Sequence, residues 1–158
     1  MSPMTRSLAA IPEDAYLVRV GELAYTVASL EWTILGDLGR LSSDLPDELT
    51  LAVLEPLKTG GIAAKTKQAA KALPPGPVKD YLDAAYPALF KAAAIRSDVL
   101  HARPATHPSL GQRLYRAEIR DRQTTGHRFW IDDEWLTKAA ADLNEALSNV
   151  NRVRPPLM

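Results

Sequence analysis

The chain of 158 residues contains no cysteine, which excludes a disulfide framework, a thiolate nucleophile and a cysteine zinc site. It also lacks long apolar runs, since no window approaches the roughly 18 uncharged apolar residues that a membrane span needs. The only apolar stretch near the start, residues 7–12, is shorter than the core of a signal peptide. These absences predict a cytoplasmic protein that does not enter a membrane.

Net charge is absent too, because 19 basic residues balance 19 acidic ones. The basic residues are unevenly placed, however: six arginines and only two acidic residues lie between residues 103 and 128. Such a local excess favours a surface that faces nucleic acid, although a solvated ribbon of arginines without a ligand has the same pattern. We expect nucleic-acid contacts from four of these side chains, namely Arg103, Arg116, Arg120 and Arg128.

The composition, with 46% apolar and 24% charged residues, is typical of one globular domain. Residues 1–12 are predicted to form a flexible tail and residues 13–158 a single helical domain. Apolar side chains recur at intervals of three and four after Pro12, which predicts a long first helix. Breaks between helices are predicted at Thr59-Gly60-Gly61 and at the proline-rich residues 74–77. The further helices are predicted at about 46–54, 62–73 and 78–102 and after Asp132.

A different pattern covers residues 114–131. Tyr115, Ala117 and Ile119 alternate with charged residues, and the alternation resumes after a turn predicted at Thr125-Gly126. Strict alternation of this kind indicates a β-hairpin with one buried face. The predicted fold is therefore mainly α, a bundle of four to five helices with a β-hairpin at about 114–131, inserted before the last helix.

Two charged residues fall on predicted apolar helix faces. At about 100° per residue, Glu31 lies in the apolar arc of the first helix, whereas Asp37 falls on its polar side. Arg96 lies in the apolar arc of the helix that ends near residue 102. An unpaired charge on a buried face costs several kcal/mol, so we predict an ion pair between Glu31 and Arg96. This pair either fixes helix register or orients Arg96 toward a cleft.

Arg96 also begins the segment with the strongest chemical signal, Arg96-Ser97-Asp98-Val99-Leu100-His101. Pro104 disfavours helical dihedrals at the residue before it, so His101 is predicted in the last helical turn. Arginine is a permanent cation that holds phosphate, and histidine moves protons near neutral pH. The same spacing recurs at Arg122 and His127, where the surrounding residues indicate a loop. The first occurrence is therefore the better candidate site.

This segment resembles the signature of the HEPN superfamily of helical bundles. That signature is an arginine, a polar residue, a few small or apolar residues and a histidine, late in a long helix. Glu31 is similar to the acidic position that many members have on the first long helix. The resemblance covers about residues 13–105. Ser97 departs from the asparagine that is common after the arginine. Arg103 stands where members controlled by nucleotidyltransferase antitoxins have a tyrosine, so that form of regulation is not expected.

The resemblance implies a metal-independent endoribonuclease in a toxin–antitoxin or defence setting, with RNA as substrate and an antitoxin or regulatory protein as a possible partner. Arg96 would bind the scissile phosphate, and His101 would transfer a proton at the attacking 2′-hydroxyl or the leaving 5′-oxygen. Ser97 and Asp98 would hold His101 or a water, and Glu31 would orient Arg96. No cofactor and no metal are expected, although Asp98, His101 and His107 can be drawn as a metal site.

Positions five apart on a regular helix point about 140° from each other, so Arg96 and His101 of one chain are predicted to converge poorly. A homodimer that brings two copies of the motif together, or an unwound last turn, would place both groups on one phosphate. The second interpretation of the sequence is a catalytically inactive HEPN-like binding or regulatory module, because some members of the superfamily have lost activity.

Overall fold

The structure, a computed structural model, describes residues 8–156. Over these residues the chain is mostly helical, with five α-helices and one antiparallel sheet of three strands, which confirms the mainly α prediction. Residues 1–7 of the predicted tail lie outside the described part. The helices are α1 (Asp14–Arg40), α2 (Leu51–Leu54), α3 (Thr59–Ala72), α4 (Pro77–His101) and α5 (Asp133–Arg152), and the strands are β1 (Arg103–His107), β2 (Gly111–Arg120) and β3 (Gln123–Ile131).

The centre of the molecule is formed by α1 and α4, with α3 packed against α4 and α5 packed against both. Their shared core is aliphatic and includes the fully buried Leu30, Ile34, Leu82 and Leu89. Helix α4 continues through Pro87 to its end at His101. Within residues 8–156, none of the helices has the length and apolar character needed to cross a membrane.

The start of α3 differs from the prediction. The helix begins at Thr59, so Thr59-Gly60-Gly61 forms its first turn and does not interrupt the chain. A Cβ on Gly60 would lie 3.9 Å from the Cβ of Ala93 in α4, which is ordinary van der Waals contact. As a result, the first turn of α3 packs beside the last turns of α4.

The sheet has three strands in the order β1-β2-β3, where the sequence predicted a two-stranded hairpin. Strand β1 was missed because it contains Pro104 and lacks alternation, and proline is tolerated only on an edge strand such as this one. The turn between β2 and β3 lies at Asp121-Arg122, which have left-handed φ values of 49° and 66°. The prediction of a turn at Thr125-Gly126 is wrong, because Gly126 lies in a bulge of β3 with φ of 86°.

Tyr16 fastens the sheet to α1. Its hydroxyl donates a hydrogen bond to the carbonyl oxygen of Ile131 at 2.6 Å and accepts one from the backbone N–H of Leu114 at 3.0 Å. The guanidinium of the buried Arg113 lies 4.4 Å from the centre of the Tyr16 ring and pairs with Glu13 at 2.7 Å. These contacts fix the position of β2, and through it the chain that follows α4.

Asp37 is buried at 2% exposure, so its predicted place on the polar side of α1 is wrong. Its carboxylate accepts hydrogen bonds from the Tyr81 hydroxyl at 2.7 Å and from Nε of Arg154 at 2.9 Å, and it also contacts Arg40. Burial, together with the hydrogen bond to Asp37, raises the pKa of Tyr81 well above its usual value. A carboxylate with three donors joins the end of α1 to α4 and to the chain after α5.

Candidate functional site

A cavity of about 470 Å³ lies where the first turn of α3 faces the last turns of α4. We call it the basic cavity, because two cations and a histidine line it together with neutral residues only. Both Arg96 and His101 belong to its lining, so a single chain brings the two motif residues to the same cavity. The lining residues are Lys58, Thr59, Gly60, Gly61, Ala93, Arg96, Ser97, Leu100 and His101.

The side chain of Arg96 is exposed, and within residues 8–156 it forms no hydrogen bond or ion pair. The predicted ion pair with Glu31 is therefore wrong. Glu31 instead accepts a hydrogen bond from the hydroxyl of Thr59, which the first turn of α3 places beside it. Because Glu31 pairs with Thr59 and not with Arg96, the guanidinium of Arg96 keeps its N–H donors available to a ligand.

His101 is exposed in the last turn of α4, and Ser97 holds its ring. Nδ1 of His101 lies 2.9 Å from the carbonyl oxygen of Ser97 and 3.3 Å from its hydroxyl oxygen. A carbonyl oxygen only accepts, so Nδ1 carries the proton in the neutral ring. The lone pair of a neutral His101 is then on Nε2, the nitrogen that a proton-transfer catalyst would use.

Within residues 8–156, Asp98 forms no hydrogen bond or ion pair with His101. Its Oδ1 accepts a hydrogen bond from Nε of Arg116 at 3.1 Å, and Nη1 of Arg116 also donates to the carbonyl oxygen of Ala117 at 2.6 Å. Arg116 is only 6% exposed, which corrects its predicted role in nucleic-acid binding. The predicted hairpin had the faces of this strand reversed, because Arg116 points inward and Ile119 is exposed. The Asp98–Arg116 pair thus joins the end of α4 to β2.

The outer face of the sheet carries a cluster of rings with flanking arginines. Arg103, Tyr115 and Trp130 are aligned across the three strands, and directly opposed residues share a face. The ring centre of Trp130 lies 4.6 Å from that of Tyr115 and 4.7 Å from that of His107. Arg128 lies two residues before Trp130 and therefore on the same side. We call His107, Tyr115 and Trp130, with Arg103 and Arg128, the aromatic face.

The sequence analysis did not predict that these side chains form a cluster. The position of Trp130 between Phe129 and the buried Ile131 was a signal, since period-two alternation places it outward. His107 had no such signal, because β1 was not predicted. Nδ1 of His107 accepts hydrogen bonds from the backbone N–H groups of Ser109 and Leu110, at 3.1 and 3.2 Å.

Two further predictions from the sequence concern Arg120 as a nucleic-acid contact and a metal site of three residues. Arg120 is exposed near the β2–β3 turn, where it pairs with Glu118 at 3.1 Å. Asp98, His101 and His107 are not gathered into a metal site, and the described residues contain no group of three or more such ligands.

A second cavity, of about 310 Å³, lies between α1 and α4. We call it the apolar cleft; among the residues that the structure describes, Glu31 is the sole carboxylate in its lining. Lys58, Arg96 and Leu100 line both cavities, so the two are contiguous. The other lining residues are Leu23, Ala24, Val27, Ala28, Pro56, Leu57, Ile95 and Val99.

Comparisons with protein-family models, with curated proteins and with solved structures return no match.

Proposed function

We propose that the protein is a metal-independent endoribonuclease of the HEPN type that acts on RNA in the cytoplasm, in a toxin–antitoxin or defence setting. The observation that carries the proposal is the shared basic cavity, in which an unpaired Arg96 and an exposed His101 lie with Lys58. The first turn of α3 adds backbone N–H groups and the positive end of a helix dipole to the same cavity. A phosphodiester has the charge and the acceptor oxygens that this arrangement complements.

In the proposed reaction, Arg96 and Lys58 hold the scissile phosphate and stabilise the charge that develops on its oxygens. Nε2 of His101 accepts the proton of the 2′-hydroxyl as the 2′-oxygen forms a bond to phosphorus. The bond between phosphorus and the 5′-oxygen breaks, and that oxygen takes a proton from an imidazolium or water. The products are a 2′,3′-cyclic phosphate and a 5′-hydroxyl. Ser97 positions the ring through Nδ1 and does not itself touch the substrate.

The aromatic face supports RNA as the substrate. Its first arginine, Arg103, follows His101 by only two residues, so RNA bound on this face leads directly to the end of α4. Aromatic rings stack on bases and arginines neutralise phosphates, which is the usual combination in proteins that bind single strands.

We predict that Arg103→Ala and Arg128→Ala each weaken RNA binding and flatten its dependence on salt. Each lost phosphate contact should lower the slope of log affinity against log salt by about 0.7. The measurement is fluorescence anisotropy of a labelled RNA titrated at several salt concentrations. Arg152→Ala, an exposed arginine near the end of α5, is the matched control. A slope that is unchanged in Arg103→Ala and Arg128→Ala would show that these arginines are solvated and do not contact RNA phosphates.

A homodimer is the second part of the proposal. Large apolar side chains are exposed at every seventh position of α1, with Val18 57%, Tyr25 78% and Trp32 64% exposed. Residues seven apart lie on one helix face, and this face borders the apolar cleft at Ala28, which lies three residues after Tyr25 and four before Trp32. A second copy packed there would cover these side chains and extend the site.

We predict that Trp32→Glu converts the dimer to a monomer without unfolding it, because a charge buried within a packed apolar face opposes association. Sedimentation velocity at micromolar concentration measures the change, and circular dichroism checks the fold. Leu51→Glu, at an exposed apolar residue on α2, serves as the control. A wild-type protein that sediments only as a monomer would contradict the dimer.

The proposed activity is tested by incubating purified protein with single-stranded RNA and with DNA of the same sequence in EDTA. We expect loss of intact RNA and no change in the DNA, since only RNA has the attacking 2′-hydroxyl. RNA that binds but stays intact would reject the endoribonuclease and favour the inactive binding module.

A further inference from the structure

The apolar cleft has the form of a site for one flat, mostly apolar group. Leu23 and Val27 of α1 and Ile95 and Val99 of α4 line it, and its volume of about 310 Å³ lies at the small end of ligand sites, which span roughly 300–1,000 Å³. A nucleic-acid base is planar and presents two faces that pack well on aliphatic side chains.

The acidic group of the cleft is Glu31. It is half-buried, and Thr59 donates its hydroxyl hydrogen to Oε2. Among the described residues Oε1 has no hydrogen-bond partner, and a carboxylate accepts hydrogen bonds but donates none. A ligand that fills the cleft must therefore present N–H groups to Glu31.

Guanine is the base that meets this requirement best. Its N1–H and N2–H donors stand side by side and form two parallel hydrogen bonds with a carboxylate. Adenine and cytosine each present one amino donor beside a ring acceptor, and uracil presents one donor between two acceptors. The acceptors of these three bases would face the negative charge of Glu31 and be repelled.

The position of the cleft agrees with a nucleotide that spans both cavities. Lys58, Arg96 and Leu100 line both cavities, so a base in the cleft leaves its phosphate beside the basic cavity. The carboxylate then faces base donors, and the cations face phosphate oxygens. From this complementarity we infer that the apolar cleft binds a guanine base through Glu31 and that the enzyme cuts RNA next to guanosine. The inference rests on the proposed endoribonuclease function.

The test is isothermal titration of the four ribonucleoside 3′-monophosphates, which contain no bond for the enzyme to cleave. Guanosine 3′-monophosphate should bind about 10- to 100-fold more tightly than the other three, as expected for one well-formed bidentate contact to a base. Equal affinities for the four nucleotides would overturn the inference.

Glu31→Gln changes the pattern from two acceptors to one acceptor and one donor, which matches the amino donor and ring acceptor of adenine and cytosine as well as N1–H and O6 of guanine. We expect the preference for guanosine 3′-monophosphate to be lost, with the four affinities becoming similar, whereas a merely structural Glu31 would leave the ratio unchanged. Glu22→Gln, an exposed position of α1 outside the cleft, is the matched control. Retention of the guanosine preference in Glu31→Gln would contradict the inference.

Ala28→Phe, at an exposed wall of the cleft, fills the cavity and should lower affinity for guanosine 3′-monophosphate at least about tenfold with an unchanged melting temperature. If Glu31→Gln does not fold, Ala28→Phe tests whether the cleft binds the base. Unchanged affinity of Ala28→Phe would reject the cleft as the base site. RNA cleavage without base preference would reject the cleft inference alone. Guanosine-selective binding without RNA cleavage would reject the endoribonuclease alone.

Discussion

His101→Ala is expected to abolish RNA cleavage while leaving the melting temperature unchanged. The ring is exposed, and within residues 8–156 it forms hydrogen bonds only to Ser97, so its removal leaves no cavity in the core. Loss of a general acid or base lowers a rate by about 10²- to 10⁴-fold. Initial cleavage rates of a labelled RNA in EDTA measure the effect.

Arg96→Ala should likewise abolish cleavage and leave the melting temperature unchanged, because this side chain is exposed and has no hydrogen-bond or ion-pair partner among the described residues. The ion pair predicted from the sequence implies that Arg96→Ala would also destabilise the protein, because Glu31 would be left unpaired on an apolar face. The hydrogen bond from Thr59 to Glu31 reverses that expectation. His127→Ala, at the exposed histidine of the second arginine–histidine spacing, is the control and should cleave at the wild-type rate. Cleavage that survives His101→Ala would refute the assignment of the catalytic residue.

Asp37→Ala is expected to cause the largest loss of stability, about 3–5 kcal/mol in the free energy of unfolding. The substitution removes a fully buried carboxylate and leaves the Tyr81 hydroxyl and the guanidinium of Arg154 without their acceptor. Chemical denaturation monitored by circular dichroism measures the change. Asp44→Ala, an exposed acid at the same end of α1, is the matched control and should cost less than about 0.5 kcal/mol. An equal effect of the two substitutions would show that Asp37 is not a structural anchor.

The long helices were predictable because each carries its own apolar stripe. Leu23, Val27, Leu30 and Ile34 recur at helical intervals and are all buried. The sheet was only partly predictable, since β1 depends on pairing with β2 and not on any alternation of its own. The face of β2 was misassigned because Arg116 is neutralised by Asp98, a partner on another element.

The candidate site, too, was only partly predictable from the sequence. Arg96 and His101 were found because their spacing and the proline after the helix are local signals. The partner of Glu31 was not found, because Thr59 was assigned to a break in the chain and lies 28 residues away. Lys58 joins the basic cavity only through the packing of α3 against α4, which no local pattern encodes.

The most direct test of the central claim is the chemical identity of the ends that the wild-type protein produces from RNA in EDTA. End-group analysis by mass spectrometry should find a 2′,3′-cyclic phosphate on one fragment and a 5′-hydroxyl on the other, with equal yield when magnesium replaces EDTA. Fragments that carry 3′-hydroxyl and 5′-phosphate ends, or cleavage that requires the added metal, would contradict a reaction carried by Arg96 and His101.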